Sequence, residues 1–456
     1  MADQENRDIA VVILAAGQGS RMLSDLPKVL HKVGAVPMVG HALAAARSLN
    51  PAQVVVVAGH GAEAVTKAVA KLDEDARIAL QTEQLGTGHA VAQALPLLDG
   101  FEGRVIVLYG DTPFISEDTL AAMIAHDADV IVLGFEAADP GRYGRLVTDA
   151  DGNLLRIVEF KDADEATRAI RLCNSGVMAA DASLLRQFVG QLGNNNASGE
   201  YYLTDVPGLA REAGHRAAVV TCDESETLGV NTRAELARAE AIFQSRRRAQ
   251  ALEDGVTLTA PETVFFALDT QIGRDAIIAP NVVFGPGVTI ESEAEIMAFC
   301  HLEGCHVSSG ATVGPFARLR PGAELGGDVH VGNFVEIKNA ILDEGVKVGH
   351  LTYLGDADVG EHTNIGAGTI TCNYDGVNKH RTRIGKRAFI GSDTMLVAPV
   401  SVGDDAMTGS GSTITEDVPP EAVALGRARQ VTKPGLAPKL FEMYKAIKAK
   451  RQKGEA

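Results

Sequence analysis

The first candidate site is a glycine-rich loop that follows an apolar run near the start of the chain. The run 9–16 (IAVVILAA) leads into the loop 17–22 (GQGSRM). Glycines after a strand allow backbone N–H groups to approach phosphate oxygens without a Cβ in the way. Arg21 and Lys28 add cationic partners, which favours a triphosphate ligand. A dinucleotide fingerprint would need a third glycine in the pattern G-x-G-x-x-G, which this loop lacks.

A second set of candidate residues lies in the C-terminal half, in segments too polar to serve packing alone. These segments are 318–322 (RLRPG), 333–338 (NFVEIK), 349–356 (GHLTYLGD) and 365–376 (IGAGTITCNYDG). His350 stands in the third of them, and a neutral imidazole is suited to accept a proton near neutral pH. The sequence therefore predicts two separate sites of chemistry.

The elements around the first site alternate between strand and helix patterns. Further buried strands are predicted at 54–58, 105–108 and 130–135, with helices at 38–46 and 88–95 between them. This alternation indicates a mostly parallel α/β sheet, in a domain that we place at 1–231. Residues 232–253, rich in Ala, Glu and Arg without Gly or Pro, predict a long linker helix.

The elements around the second site are short repeats with a period of six residues. Each repeat carries one inward aliphatic residue, as at Leu319, Leu325, Val331 and Ile337. A hexapeptide period is typical of a parallel β-helix, whose coils bury their inner faces only by stacking. The domain is predicted to cover 254–456 and to end in a basic tail from Lys433.

The motifs of the first domain resemble the signature of the sugar-nucleotide pyrophosphorylases. In expected order they are 81–89 (QTEQLGTGH), 109–111 (YGD), 143–145 (YGR), 158–159 (VE), 174–176 (NSG), 199–205 (GEYYLTD) and 229–231 (GVN). Together with the β-helix, the chain resembles the bifunctional uridylyltransferase/acetyltransferases that make UDP-N-acetylglucosamine. The resemblance implies a Rossmann-like α/β nucleotidyltransferase domain followed by a left-handed parallel β-helix of hexapeptide repeats, assembled as a homotrimer.

The resemblance also implies roles for individual residues of the first domain. Those implied to bind UTP or N-acetylglucosamine 1-phosphate are Leu14, Ala15, Ala16, Gly17, Arg21, Lys28, Gln81, Gly86, Thr87, Tyr109, Gly110, Asp111, Gly144, Glu159, Asn174 and Asn231. Asp111 and Asn231 are implied to hold Mg²⁺. The position of Asp111 agrees, because it follows the strand 105–108 at the carboxyl edge where α/β sheets bind ligands. One carboxylate and one amide suit Mg²⁺, which keeps waters and phosphate oxygens as further ligands.

For the second domain, the resemblance implies that His350 is the general base for transfer of an acetyl group from acetyl-CoA to glucosamine 1-phosphate. Substrate binding is implied for Arg320, Lys338, Tyr353 and Asn364, and acetyl-CoA binding for Ala367, Asn373, Tyr374, Ser392, Ser410 and Arg427.

Counting repeats sharpens this, because three hexapeptides per coil stack Arg320 and Lys338 about 4.8 Å apart. Two cations that close are unfavourable without an anion, which predicts a bound phosphate. Tyr353 falls near the same edge and His350 around a corner, in a groove that we expect a neighbouring subunit to complete.

Two other interpretations stay open at this point. The β-helix could be an oligomerisation and regulatory module attached to a single-activity pyrophosphorylase, or the chain could be a scaffold that only binds UDP-sugars. A zinc site at Cys300, His301, Cys305 and His306 is disfavoured, because these residues flank inward Leu302 on alternating faces and cannot converge on one metal.

Composition restricts the remaining possibilities. The chain has 456 residues and a formal net charge of −17, so nucleic acid is not an expected partner. No apolar run is long enough to span a membrane, and residues 1–10 lack the apolar run of a signal peptide. Five scattered cysteines are typical of reduced thiols, so we expect a cytoplasmic protein.

Overall fold

The computed structural model describes residues 8–452, and the chain divides into two compact units. The first holds the residues up to Glu253 together with Phe265–Thr270, and the second holds Asp254–Val264 and the residues from Gln271 onward. Most of the segment 1–10 that we examined for a signal peptide, and the last four residues of the basic tail, lie outside the described residues.

The first unit is an α/β fold built on one large sheet. Its strands are β1 Ile9–Ala15, β2 Lys32–Val33, β3 Val36–Pro37, β4 Gln53–Ala58, β5 Arg77–Leu80, β6 Arg104–Tyr109, β7 Val130–Glu136, β8 Arg145–Thr148, β9 Leu154–Val158, β10 Leu172–Asp181 and β11 Ala217–Cys222. Its helices are α1 Met38–Ser48, α2 Ala62–Leu72, α3 Thr87–Ala94, α4 Glu117–Ala125, α5 Glu165–Arg168, α6 Ala182–Val189, α7 Val206–Glu212 and α8 Arg233–Glu253.

The main sheet has the order β11-β7-β10-β6-β1-β4-β5, and only β10 runs antiparallel to its neighbours along this path. The central strands are buried on both faces, which explains why they read as continuous Val/Ile/Leu runs instead of alternating patterns. The predicted mostly parallel α/β sheet is confirmed. Parallel β1 and β6 bring their carboxyl ends to one edge, where the glycine loop and Asp111 follow.

Helix α8 covers the segment predicted as a linker, but it packs into the core of the first unit. Ala239 and Phe243 are buried against Val33 and Met38. The side-chain amide of Gln244 also exchanges two 2.8 Å hydrogen bonds with the backbone N–H and carbonyl of Phe266. Apolar residues on one face of α8 therefore join it to the α/β fold.

The second unit is a left-handed parallel β-helix. Its strands are β12 Thr257–Leu258, β13 Gln271–Ile272, β14 Ile277–Ile278, β15 Val283–Phe284, β16 Thr289–Ile290, β17 Glu295–Ile296, β18 His301–Leu302, β19 Cys305–Val307, β20 Thr312–Val313, β21 Arg318–Leu319, β22 Ala323–Leu325, β23 His330–Asn333, β24 Glu336–Leu342, β25 Lys347–His350, β26 Tyr353–Val359, β27 Asn364–Ile365, β28 Ile370–Cys372, β29 Thr382–Ile384, β30 Phe389–Ile390, β31 Met395–Val397, β32 Val400–Val402, β33 Met407–Thr408, β34 Thr413–Ile414 and β35 Val423–Ala424. Helix α9, Leu436–Gln452, follows.

The coil register agrees with the hexapeptide count. Leu319 pairs with Ile337, and Ile337 pairs with Leu354, each with no exposed side-chain surface. The inner faces of successive coils therefore cover one another, which is how a chain of very short strands buries a core. Several coil corners are occupied by non-glycine residues with positive φ, such as Phe316 (57°) and Leu351 (56°).

The basic tail forms a helix whose apolar residues remain exposed within its unit. Phe441 and Tyr444 of α9 are 65% and 57% exposed. Among residues 8–452, no helix combines the length and the apolar composition needed to cross a membrane.

Candidate active sites

The first candidate site is a cavity of about 280 Å³ at the carboxyl ends of β1 and β6. Ten of the residues implied for uridylyl transfer line it: Leu14, Ala15, Ala16, Gly17, Lys28, Gln81, Gly86, Thr87, Tyr109 and Asp111. Gln84 and Glu200 also line the cavity and were missed, although both lie inside quoted motifs. Gly110 lies beside the cavity wall, where its N–H donates to the Leu14 carbonyl at 2.9 Å.

Gly86 and its neighbours form part of the cavity wall. Gly86 has φ 109°, and a Cβ there would lie 2.6 Å from the Tyr201 carbonyl oxygen, so only glycine fits. The Gln81 side-chain amide donates to the Gly86 carbonyl at 3.2 Å and contacts His89 Nδ1 at 3.0 Å. These contacts fix the orientation of Gln81 at the cavity wall.

Lys28 stands between the two residues implied to hold a metal. Its Nζ donates to an Asp111 carboxylate oxygen and to Asn231 Oδ1, the latter at 2.9 Å. Gly19, with φ 62°, packs closely against Lys28, because a Cβ on Gly19 would lie only 2.5 Å from the Lys28 Cβ. The glycine loop thus positions the cation, and a carboxylate and an amide oxygen converge on one point, as a Mg²⁺ site with additional water or phosphate ligands requires.

The start of α8 brings Asn231 to Asp111. The Val230 N–H donates to the Asp111 carbonyl at 3.0 Å. Thr232 and Glu235 then form a capping box, in which the Glu235 N–H donates to Thr232 Oγ1 and the Glu235 carboxylate accepts from Thr232 N–H. The same carboxylate accepts from Asn231 N–H at 2.7 Å. A local helix-start signal therefore holds a residue that is far from Asp111 in sequence.

The residues implied to bind the sugar phosphate meet on the neighbouring strands. Asn174 N–H donates to the Gly144 carbonyl at 2.9 Å, and a Cβ on Gly144 would lie 3.4 Å from Glu159 Oε1. Glu159 lines a second cavity of about 370 Å³, in which Thr204 Oγ1 donates to its carboxylate at 3.3 Å. Burial, with the negative charges of nearby carboxylates, raises the pKa of Glu159.

Five residues of this set line neither cavity: Gly110, Gly144, Asn174, Asn231 and Arg21. Arg21 is the exposed one among them. It lies exposed in a short 3₁₀ turn, Ser20–Met22.

The second candidate site spans two adjacent faces of the β-helix, because His350 belongs to a different sheet from Lys338 and Tyr353. Glu336 pairs with Tyr353, Lys338 with Gly355, and Asn333 with His350. His350 is exposed at the end of β25, and Asn364 follows Lys347 in the next coil. Arg320 and Lys338 thus lie in adjacent coils on one face, and the exposed His350 imidazole lies one corner away, before Leu351.

The reason we gave for a phosphate between Arg320 and Lys338 is wrong in one respect. The two residues occupy adjacent coils as predicted, but an Arg320 guanidinium nitrogen lies 2.7 Å from the Glu336 carboxylate. The protein itself supplies an anion, because Glu336 shares a strand face with Lys338 two residues later. Arg318, Arg320 and Lys338 still outnumber Glu336, so the face keeps a net positive charge.

The residues implied to bind acetyl-CoA follow one another along successive coils. The Asp393 N–H donates to the Ala367 carbonyl, and the Gly411 N–H donates to the Ser392 carbonyl at 2.8 Å. Arg427 donates to the Ser410 carbonyl at 2.8 Å. Ala367, Ser392, Ser410 and Arg427 thus form a row on the outside of the coils.

Asn373 and Tyr374 begin a loop that interrupts the repeat. Asn373 is buried, whereas Tyr374 is 59% exposed with the Lys379 ammonium 5.6 Å from its ring centre. Asn373 donates to Asp356, a buried carboxylate that sequence reasoning missed. The segment 349–356 (GHLTYLGD) contained Asp356, but nothing in its spacing indicated burial.

The histidines and cysteines near residue 300 serve packing and surface contacts. Burial raises the pKa of the Cys300 and Cys305 thiols to about 11 and about 12, so both stay protonated at neutral pH and are poor metal ligands. His306 instead contacts Glu291 at 2.9 Å. Within residues 8–452, no three His, Cys, Asp or Glu side chains are grouped as metal ligands.

Comparison with known proteins agrees with both halves of the chain. Residues 11–170 match the MobA-like NTP transferase domain family. A bifunctional protein GlmU from Paracoccus denitrificans is 76% identical over 97% of this chain and 99% of its own length. Proteins of the same name from Cereibacter sphaeroides and Jannaschia sp. are 71% and 63% identical, each over 98% of this chain and 98% and 99% of their own lengths. The chain belongs to the GlmU family of bifunctional proteins.

Proposed function

We propose that this bifunctional enzyme of UDP-N-acetylglucosamine biosynthesis carries out two successive transfers on one amino sugar, one in each unit. The β-helix acetylates glucosamine 1-phosphate, and the α/β unit then joins the product to the uridylyl group of UTP. The observation that carries this proposal is that each unit gathers the residues assigned to one transfer. Separate assays of the two transfers on the same protein test it, and a wild-type protein that transfers no acetyl group from acetyl-CoA would overturn it.

In the α/β unit, the walls formed by Leu14–Gly17, Gln81, Gly86 and Thr87 bind the uracil and ribose. Lys28 and Arg21 bind the phosphates. The 1-phosphate oxygen of the sugar attacks the α-phosphorus of UTP, and the bond to pyrophosphate breaks. This chemistry needs alignment and charge neutralisation more than a protein base.

Asp111 and Asn231 are the residues that would hold Mg²⁺. The support is the donor set: one carboxylate and one amide oxygen both face the Lys28 ammonium, so the protein builds a cation position there. When bound, the metal supplies positive charge to the phosphate oxygens. Lys28 contributes the same kind of charge from the protein side and is placed to shift toward the phosphates.

In the β-helix, His350 accepts a proton from the 2-amino group of glucosamine 1-phosphate as the nitrogen attacks the thioester carbonyl carbon. The carbon–sulfur bond breaks, and the coenzyme A thiolate leaves. Arg320 and Lys338 attract the sugar phosphate, with Tyr353 and Asn364 beside them. The row from Ala367 to Arg427 binds the coenzyme along the coils, with Asn373 and Tyr374 at the loop.

A single-activity pyrophosphorylase with a purely structural β-helix is not favoured. The bifunctional relatives align over 97–98% of this chain, so the alignments extend well beyond the α/β unit. A structural coil also has no need to place Arg320 and Lys338 in adjacent coils on one face, one corner away from His350. A non-catalytic UDP-sugar scaffold is disfavoured for the same reasons.

Glu159 predicts a pH dependence of uridylyl transfer. Because burial raises its pKa, Glu159 becomes protonated at a higher pH than an exposed glutamate would. Protonation removes the carboxylate that would accept hydrogen bonds from the sugar. We expect kcat/KM for N-acetylglucosamine 1-phosphate to fall as the pH drops through this raised pKa. The Glu159→Gln variant should have a lower kcat/KM than wild type at neutral pH, and it should lack the fall of kcat/KM at acidic pH. The Glu165→Gln variant, changed at an exposed residue, should retain this fall. Identical profiles for Glu159→Gln and wild type would contradict the assignment.

We also infer that the protein is a homotrimer whose contact follows an apolar ladder on the β-helix. The rings of Phe299, Phe316 and Phe334 stack at 4.9 and 5.3 Å between centres and remain about half exposed, and exposed Leu351 continues the ladder. Such a stripe fits a copy of itself. Sedimentation velocity is expected to give three times the 47.8 kDa chain mass, shifting toward the monomer in Phe316→Glu. A monomeric wild type would contradict the inference.

A further inference from the structure

The loop that interrupts the β-helix is anchored by a buried carboxylate, Asp356. Asp356 lies in β26 with φ 49° and is 9% exposed. Asn339 lies one coil before it, and Asn373 lies one coil after it, where the loop begins. The side-chain amides of both asparagines donate to the Asp356 carboxylate, Asn339 at 2.6 Å and Asn373 to the other oxygen. The three residues form a column across successive coils, which we call the Asn-Asp-Asn column.

The chemistry of this column fixes which way the Asn373 amide faces. An ionised carboxylate can only accept hydrogen bonds, so Asn373 must turn its NH₂ group toward Asp356 and its carbonyl oxygen away. Burial alone would raise the pKa of Asp356, but the two amide bonds and the charges of Lys379 and Lys338 outweigh it and lower the pKa. The carboxylate is therefore ionised throughout the range in which a histidine base works.

The column adjoins the proposed acetyl-transfer site directly. A Cβ on Gly355 would touch the Tyr353 hydroxyl and would lie 2.8 Å from Asn373 Nδ2, so both side chains pass over the same bare glycine. Gly355 is also the register partner of Lys338 in the preceding coil. The backbone of Asn373 accepts from His380 N–H at 2.9 Å, which closes the base of the loop. Movement of Asn373 would thus disturb Tyr353 and the loop together.

We propose that Asp356 is a positioning residue for acetyl transfer: it holds the Asn373 amide so that its carbonyl oxygen accepts an N–H of the bound reactants. This proposal rests on the proposed acetyltransferase function of the β-helix. Two N–H groups fit the chemistry, the 2-amino group of the sugar and an amide of the coenzyme A arm. Steady-state kinetics distinguish them, because the affected reactant is the one whose KM rises.

The test compares Asp356→Asn, Asn373→Ala and the double variant with wild type, measuring kcat and both KM values for acetyl transfer. Asn at position 356 keeps the side-chain shape and tolerates positive φ, but its NH₂ group opposes one of the two donors and forces an amide to flip. We expect kcat/KM to fall about 10- to 100-fold in Asp356→Asn. The double variant should be no slower than Asn373→Ala, because both changes remove one interaction.

The control is Asp328→Asn, an exposed aspartate with φ 56° elsewhere on the β-helix, which should behave as wild type. Uridylyl transfer and thermal unfolding are measured on the same samples.

Full acetyl transfer by Asp356→Asn, or a double variant slower by the product of the two single effects, would overturn the positioning role. Should Asp356→Asn unfold at lower temperature, Asn339→Gly separates the roles: it loosens the column but keeps the Asp356–Asn373 bond, so a loss equal to that of Asp356→Asn would also overturn the proposal. Failure of the proposed acetyltransferase function itself looks different, since the wild-type protein would then transfer no acetyl group from acetyl-CoA.

Discussion

Replacing His350 with alanine is expected to lower kcat for acetyl transfer by about 100- to 10,000-fold, while uridylyl transfer continues at the wild-type rate. The imidazole is exposed at the end of β25, one corner before β26, which begins at Tyr353 and pairs with the strand that carries Lys338. Without a base, the attacking nitrogen keeps its proton and the tetrahedral adduct collapses back to the amine and thioester. Release of the coenzyme A thiol measures the first transfer, and release of pyrophosphate measures the second.

His330→Ala is the matched control for this experiment. His330 is also an exposed histidine on a β-helix strand, so its removal tests for a general effect of losing an imidazole from the coils. We expect both transfers to be unchanged in this variant. Equal acetyl transfer by His350→Ala and wild type would show that another group accepts the proton.

The coil register could be predicted because hexapeptide repeats are a local pattern. One inward aliphatic residue every six positions fixes which residues lie above one another, and the pairs Leu319–Ile337 and Ile337–Leu354 follow. The α/β sheet could be predicted equally well, since its buried strands are continuous apolar runs in the sequence. Both patterns record burial directly in residue type.

The Arg320–Glu336 contact could also have been read from the sequence. Alternate residues of a strand share a face, so Glu336 belongs with Lys338 on the outer surface of β24. Counting Arg320 and Lys338 without Glu336 overstated the repulsion between the two cations, and therefore the need for a bound phosphate. The general lesson for a β-helix is that charges must be summed over whole faces of adjacent coils.

Asp356 and the meeting of Lys28 with Asn231 were beyond sequence reasoning. Whether a polar residue is buried depends on the loop that covers it, and the 373–381 loop breaks the repeat that otherwise predicts position. Asn231 reaches Lys28 through the tertiary packing of α8, although its capping box is a local signal. Long-range contacts of this kind leave no periodic pattern in the amino-acid sequence.

Replacing Asp111 with alanine is expected to reduce uridylyl transfer by about 100-fold or more and to leave acetyl transfer intact. Asp111 is the carboxylate that faces both Lys28 and, through it, Asn231. Its loss leaves the Lys28 ammonium without its anionic partner and removes the charged ligand of the proposed Mg²⁺ position. Pyrophosphate release at saturating substrates measures the effect.

A metal titration separates the two roles of this carboxylate. Asp111→Asn keeps an oxygen near Lys28 but lacks the charge, so it should need a higher Mg²⁺ concentration for half-maximal uridylyl transfer than wild type. Asp151→Ala, at an exposed turn of the same unit, should show the wild-type requirement. If Asp111→Asn were slow with an unchanged Mg²⁺ requirement, Asp111 would act by orienting Lys28 instead. The two units would then share a common strategy, in which a carboxylate positions the group that contacts the substrate.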